Sequence, residues 1–320
     1  MNKKTKIWLI AAASLIVMGG IIFGGVMTML KWDFNKLSTT KYETNTFNIE
    51  NDFSNISIKT DTADIILLSS ENENCKVVCY EQANIKHSVE IKDGTLKINI
   101  NDTRKWYEHI GINIENPKIT VYLPSGEYGD LSIKESTGDV KIPKDFSFKN
   151  IDISASTGDI KNYASASEDI KIKTSTGSIL AENISAEKLD LSVSTGNINA
   201  SSVKCDGDIK ANVTTGKTKL SDISCKNVTT KGSTGSILLK NVIASDKFFI
   251  ERSTGDVKFE SCDAGEIFIE TDTGDVEGSL LSDKVFITQT DTGNIDIPKT
   301  TTGGKCEIIT DTGDIEIKVK

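Results

Sequence analysis

Little in this sequence favours a conventional globular core. Of 320 residues only four are proline and only 6% are aromatic. A thick core of Phe and Trp is excluded, and a thin, repetitive core of Ile, Val and Leu in strands fits better. Histidine is scarcer still: His87 and His109 are the two present, and both precede the internal repeats. The repeats therefore lack the commonest general base. Cys75 and Cys79 form a C-x-x-x-C pair with no second pair beside it, which disfavours a structural zinc site. No basic excess exists either. The formal charge is −9, and beyond Lys3, Lys4 and Lys6 the rest carries −9 − 3 = −12. That balance disfavours nucleic acid and direct docking on anionic lipid.

One long hydrophobic run is present. After the basic residues 1–6, the segment from Ile7 to Leu30 contains no charge. A helix of that length spans the ~30 Å hydrocarbon layer at ~1.5 Å per residue. The preceding lysines place the N-terminus in the cytoplasm, and Trp8 and Trp32 fall near the two interfaces. A cleaved signal peptide is the alternative, but the run is too long for one and no clear A-x-A site follows. The expected layout is a transmembrane anchor at 7–30, a polar tether at 31–45 and an outer region at 46–320.

The outer region repeats itself. Thr-Gly recurs in phase ten times, with glycines at Gly138, Gly158, Gly177, Gly196, Gly216, Gly235, Gly255, Gly274, Gly293 and Gly313, each 19 or 20 residues from the next. A fixed period of this size marks a solenoid. Apolar residues stand seven before each glycine and, except at Thr230 and Thr288, five before it, as in Leu131 and Ile133 or Ile151 and Ile153. They stand two after it, as in Val140, Ile160 and Ile295, and often seven after it, as in Ile184, Val203, Ile223, Val242, Cys262 and Leu281. Alternation by two on both sides of the turn is strand periodicity. The fold predicted is all-β: a single-chain β-helix, or β-solenoid, of ten 19–20-residue coils at 131–320. Nine steps of ~4.8 Å make a rod roughly 43 Å long. Glycine suits the corner because it accepts positive φ, and the flanking Ser, Thr, Asp and Asn hydrogen-bond corner backbone. The ten threonines would form a ladder along one edge.

Residues 46–130 are also strand-rich and are expected to cap the first coil. "TDTADI" at 60–65 looks like a decayed corner, and "KDGTL" at 92–96 signals a hairpin. The loop 101–117 carries Trp106 and Tyr107, which are the partner-binding candidates. At the other end, Lys318 and Lys320 either blunt an open sheet edge or flank a site where a partner strand adds.

Candidate chemistry on the solenoid is thin. Asp272, Asp291 and Asp311 stand in "DTG", the aspartic-protease motif, but in three copies one coil apart they stack along an edge rather than face across a cleft. With Asp275 and Asp314 they form an acidic ridge that is a weak Ca²⁺ candidate, interrupted by coils without the acid and lacking the nonapeptide of Ca²⁺-binding β-rolls. No aromatic-bearing carboxylate cluster is expected on the solenoid, and no catalytic residue or cofactor. Cys262 and Cys306 read as small core residues, and Cys205 and Cys225 as neighbours on adjacent coils, either free or bonded.

The order of these features resembles the toastrack family of candidate adhesins (domain of unknown function 4097). The residues carrying it are the N-terminal anchor, "ADIILLSS", then "ITVYLPSGEYGDLSIKESTGDVKI" and the repeated S-T-G-D-I corners, over about 46–320. The resemblance implies a β-helix of the bacterial envelope, with LiaG-like relatives associated with envelope-stress systems and no established catalytic residues. The combined expectation is a non-enzymatic, membrane-anchored extracellular solenoid that binds an envelope protein or cell-wall polymer. The competing expectation is a protein that binds or processes cell-wall polysaccharide, with or without Ca²⁺.

Overall fold

The computed structural model describes residues 2–33, 41–71, 74–102 and 115–320. The helix α1 (Lys3–Met29) takes up the apolar run. It is the one helix among the described residues long and apolar enough to cross a membrane. Its large side chains face outward, Trp8 and Ile16 each at 75% exposure.

From Tyr42 onward the described elements are strands joined into one sheet system wound as a parallel solenoid. Ile151, before the Gly158 corner, lies opposite Leu131 on one side and Ile170 on the other. Ile160, after that corner, lies between Val140 and Ile179. The apolar positions seven and five before the glycine are buried in every coil from Gly138 to Gly274. Each burial of an Ile or Leu stabilises the stack by about 1.5–3 kcal/mol.

Glycine is needed at the corners for two reasons. Gly216 has φ +136°, and a Cβ there would overlap the carbonyl oxygen of Gly196 on the neighbouring coil. The corners stack so closely that only a residue without a side chain lets them meet. The threonines before them pair coil to coil, Thr137 with Thr157 and Thr157 with Thr176. Thr62 joins the ladder opposite Thr137, so "TDTADI" is a working corner with Ala63 in place of glycine.

A second corner completes each middle coil. Asn183, Ser202, Asp222, Asn241 and Ser261, each six after its glycine, adopt φ of 51–55°. Asn and Asp are the side chains that best tolerate left-handed backbone, and Ser202 and Ser261 adopt it in the same place. The Gly274 coil lacks this residue, and its alternation slips by one at an irregularity between Phe259 and Cys262 of the coil beneath. Leu280 turns inward at 1% exposure and Leu281 outward at 45%, which corrects the expectation that Leu281 is a core residue.

The spatial order of coils departs from the chain order at both ends. At the far end the Gly274 coil pairs with the Gly313 coil, which in turn pairs with the Gly293 coil. The last coil in sequence is thus inserted, and the Gly293 coil is outermost. Ile315–Val319 pairs with Val276–Leu280 along its whole length but with Ile295–Asp296 only at Ile315 and Glu316, so Lys318 stands on the stretch with no described strand on its outer side. Exposure follows: Phe286 is only half-buried and Ile295 is 43% exposed, whereas Cys306 and Ile308 are buried.

The near end repeats the device. Strands β1 (Tyr42–Ile49), β2 (Asn55–Lys59), β3 (Asp64–Ser69), β4 (Cys75–Gln82), β5 (Ile85–Lys92) and β6 (Thr95–Asp102) lead to β7 (Lys118–Leu123), β8 (Gly126–Thr137) and β9 (Val140–Ile142). The layer β2–β3 sits between β6–β7 and β8–β9, although β7 leads directly into β8. Antiparallel β5 then covers β6, β4 covers β7, and β1 covers β4.

Candidate functional site: the cap cluster and the solenoid surface

Trp106 and Tyr107 lie outside the described residues. The corner aspartates are described, and several have a structural task. Asp139 Oδ1 accepts the Asp159 amide (2.8 Å), Asp159 Oδ1 the Ser178 amide (2.8 Å), Asp256 Oδ1 the Asp275 amide (3.1 Å), and Asp275 Oδ1 the Asp314 amide (2.8 Å). Each acid after the glycine thus clamps the next coil. In space the "DTG" acids run Asp272, Asp311, Asp291, following the pairing Thr273–Thr312–Thr292. They are not among the described groups that bring three metal-ligating atoms within 4.8 Å of one another.

That distinction belongs to the cap, at Cys79, Glu81 and His87, all buried. Along β4 the inward side chains are Cys75, Val77, Cys79 and Glu81, so plain alternation carries a carboxylate into the core. Glu81 Oε2 accepts the His87 amide (2.7 Å) and sits 2.6 Å from His87 Nδ1. Glu81 Oε1 accepts from Asn45 Nδ2 (2.7 Å), and His87 Nε2 lies 2.9 Å from the Thr60 hydroxyl. Sequence reasoning misses this cluster; the alternating phase of "CKVVCYE" is the signal that could find it. Its residues do not fit a metal. The Glu81–His87 contact is too short to seat an ion between ligands, and both His87 nitrogens already have partners. Burial pushes the Cys79 thiol up to about 12, away from the thiolate a metal would need. The cluster is a polar bracket tying β1, β4 and β5 to the residue after β2.

All six cysteines are free and buried. Cys205 and Cys225 sit on adjacent coils in the same register, with Lys204 opposite Ser224.

Two buried charges on the solenoid lack matched partners. They lie three residues before the corner glycine, a position that elsewhere holds Ala155, Thr174, Val193 and Val213. Glu135 is 7% exposed, and neither carboxylate oxygen finds a protein partner. Burial, reinforced by Asp64 and Asp139, pushes its pKa up from 4.5 to about 8. Arg252 is the other, 2% exposed.

The long faces carry ladders. Lys231 pairs with Glu251 (2.6 Å), Lys247 with Glu266 (3.0 Å) and Lys258 with Glu277 (3.1 Å), each pair bridging two coils. Phe249 and Phe268 stack on the outer face with centroids 5.1 Å apart. Lys231 Nζ lies 4.7 Å from the Phe249 ring centroid. A cleft of about 690 Å³ opens at the cap beside Glu50, Asp52, Phe53, Pro124 and Tyr128.

Parallel coils of 19–20 residues, glycine corners, an antiparallel cap and a membrane-competent helix define a single-chain β-solenoid. The family described as Toastrack DUF4097 matches residues 53–214 and 204–320, and the chain belongs to that family. No curated protein sequence matches it. Among solved structures it is similar to an adhesin candidate from Bacteroides fragilis, at 16% identity over 87% of this chain and 97% of that one, with a TM-score of 0.45. It is also similar to two proteins from Parabacteroides distasonis. One is a candidate lipid binding protein, at 16% identity over 88% and 98%, TM-score 0.44. The other is a candidate adhesin, at 13% over 87% and 98%, TM-score 0.41.

Proposed function

We propose that this toastrack protein is a non-enzymatic scaffold or adhesin of the bacterial envelope. On this reading α1 anchors it with its N-terminus in the cytoplasm. The solenoid stands outside and presents its long face to an envelope protein or cell-wall polymer, within reach of an envelope-stress system. The observation that carries it is the ladder surface itself. Side chains that would supply chemistry on an enzyme are spent between coils here, as the Asp139–Asp159, Asp275–Asp314 and Lys231–Glu251 contacts illustrate. The test is crosslinking and proximity labelling in intact cells, comparing wild type with Trp106→Ala/Tyr107→Ala. A defined membrane partner recovered by wild type and lost by the variant supports binding through the 101–117 loop. Equal recovery, or glycan alone, in both overturns that role.

A second reading, glycan binding, is favoured by the cap cleft, where Phe53 and Tyr128 stack at 6.2 Å beside Glu50 and Asp52. Sugar faces stack on such rings while carboxylates take hydroxyls. Loss of cell-wall co-sedimentation in Tyr128→Ala, with an unchanged melting temperature, supports it; unchanged co-sedimentation overturns it.

A further inference from the structure

Among the described strands, Lys284–Thr292 forms the exposed pre-corner edge of the outermost coil. It pairs with Gly304–Thr312 on one side, and no described strand pairs with the other. Its outward side chains are Val285, Ile287 and Gln289, with Val285 at 40% and Ile287 at 50% exposure. The corresponding positions, eight, six and four before the glycine, carry at least one charge in every other coil, from Asp130 and Lys134 to Lys305 and Glu307. The coil placed at the edge is the one that lacks a charge there. This inverts the usual protection of sheet edges, which relies on charge, proline or shortness.

The protein applies that protection at its other edges. Cap strand β5 points Lys86, Glu90 and Lys92 outward, and Lys86 pairs with Glu43 of β1 (2.6 Å). On the post-corner side of the outermost coil itself, Ile295–Asp296 is only two residues long, and Pro298 follows two positions later, where it withholds an amide. One face of the tip is stopped, and the other is left as a nine-residue strand.

We infer that the Lys284–Thr292 edge is an interface for a second copy of this chain, paired antiparallel across a twofold axis so that two solenoids meet tip to tip. Two observations select a copy over an unrelated strand. First, the half-buried Phe286 and Ile297 and the exposed Ile295 leave the end of the core open beside the edge. A single added strand would satisfy the backbone but leave that core uncovered, whereas a twofold copy sets the same apolar end against it. Second, the chain is acidic overall, at −9, and copies repel except through a patch without charge. A nine-residue strand is ~30 Å long and two sheets with their side chains are ~20 Å deep, so pairing buries about 1,200 Å² in total, the lower bound for a specific interface. The pairing is therefore a reversible equilibrium that concentration on a surface would strengthen.

The test uses the full chain in detergent micelles, with molecular mass followed by sedimentation over a concentration series. Wild type is expected to dimerise reversibly. Ile287→Lys and Val285→Lys are expected to weaken the dimer ~10-fold or more by placing like charges across the axis. Thr229→Lys, at the Ile287 position of an inner coil, is expected to leave it unchanged. Because the native cysteines are buried, Ile287→Cys adds an exposed thiol, and a bis-maleimide should link it to its copy but not link Thr229→Cys. A monomer at every concentration without crosslinking overturns the inference. So does a dimer that survives both edge lysines, or one that Ile287→Cys fails to link. Should either lysine variant lose its strand circular dichroism, the Ile287→Cys crosslink alone decides.

Discussion

Arg252 occupies the space that Gly232 leaves open. The two lie opposite each other on adjacent coils, and the Arg252 Nη1 passes Gly232 to donate to the Val213 carbonyl at 2.8 Å. Its Nε and Nη2 find no protein partner, and burial lowers its pKa from the ordinary value. A buried guanidinium without an acid is a weak source of stability. Arg252→Met is expected to hold or raise stability, by about 1–3 kcal/mol. Gly232→Ala, whose Cβ would overlap both Nη1 and the Val213 oxygen, is expected to lower it by about 2–4 kcal/mol. Thermal melts of the two variants check the opposite signs.

Glu135 makes stability fall with pH. Its pKa rises from 4.5 to about 8 on folding, so between those values the folded state keeps a proton that the unfolded chain releases. The stability it permits is fully present below pH 4.5 and is lost as pH rises through about 8. Glu135→Gln, a neutral isostere, should flatten that slope and gain up to a few kcal/mol at the alkaline end, at ~1.4 kcal/mol for each tenfold difference in proton affinity. Melting temperature against pH for the two proteins measures it; parallel curves would contradict the assignment.

Chain ends usually fray, but the start of the last strand, residues 315–316, is flanked on both sides, by residues 276–277 and by Ile295–Asp296. Hydrogen exchange should find its amides slower than those of Ile295–Asp296 and of the outer side of Lys284–Thr292, although the latter stand earlier in the chain. The reverse order of protection would refute the inserted coil.

Glu81→Ala is expected to destabilise the cap by about 3–5 kcal/mol, because it strands the His87 amide and ring nitrogen together and leaves Asn45 Nδ2 with Glu43 alone. Glu81→Gln, which keeps an acceptor, should lose less. The same unfolding is visible through thiols. Burial pushes Cys75 to about 11 and Cys79 to about 12, so both should resist a disulfide reagent at pH 8 in wild type and react in Glu81→Ala.

The period, the corners and most of the core were legible because each has a local cause repeated in every coil. Glycine at Gly216 and an apolar residue at Ile209 recur in phase whatever the coil's position. The stacking order was not legible, since the corners are chemically alike and nothing in "DTGNI" or "DTGDI" says that Gly274 meets Gly313 rather than Gly293. The second corner could have been found: Asn183, Asp222 and Asn241 are left-handed-tolerant types at one phase, where Ser202 and Ser261 also stand. Glu135, Arg252 and Glu81 were missed for a different reason. Charged side chains read as surface, and their burial shows only when their phase is set against neighbouring coils. Trp106 and Tyr107 remain a reading of the sequence.

The interleaving at both ends bears on how such a chain changes length over generations. A duplicated coil added after Gly313 would push the inserted layer out of its slot, and one added before β2 would do the same at the cap. A duplication between Gly158 and Gly255 meets only like neighbours on either side. Growth and shrinkage of this solenoid are therefore confined to its middle, while the two interlocked ends are inherited as fixed brackets.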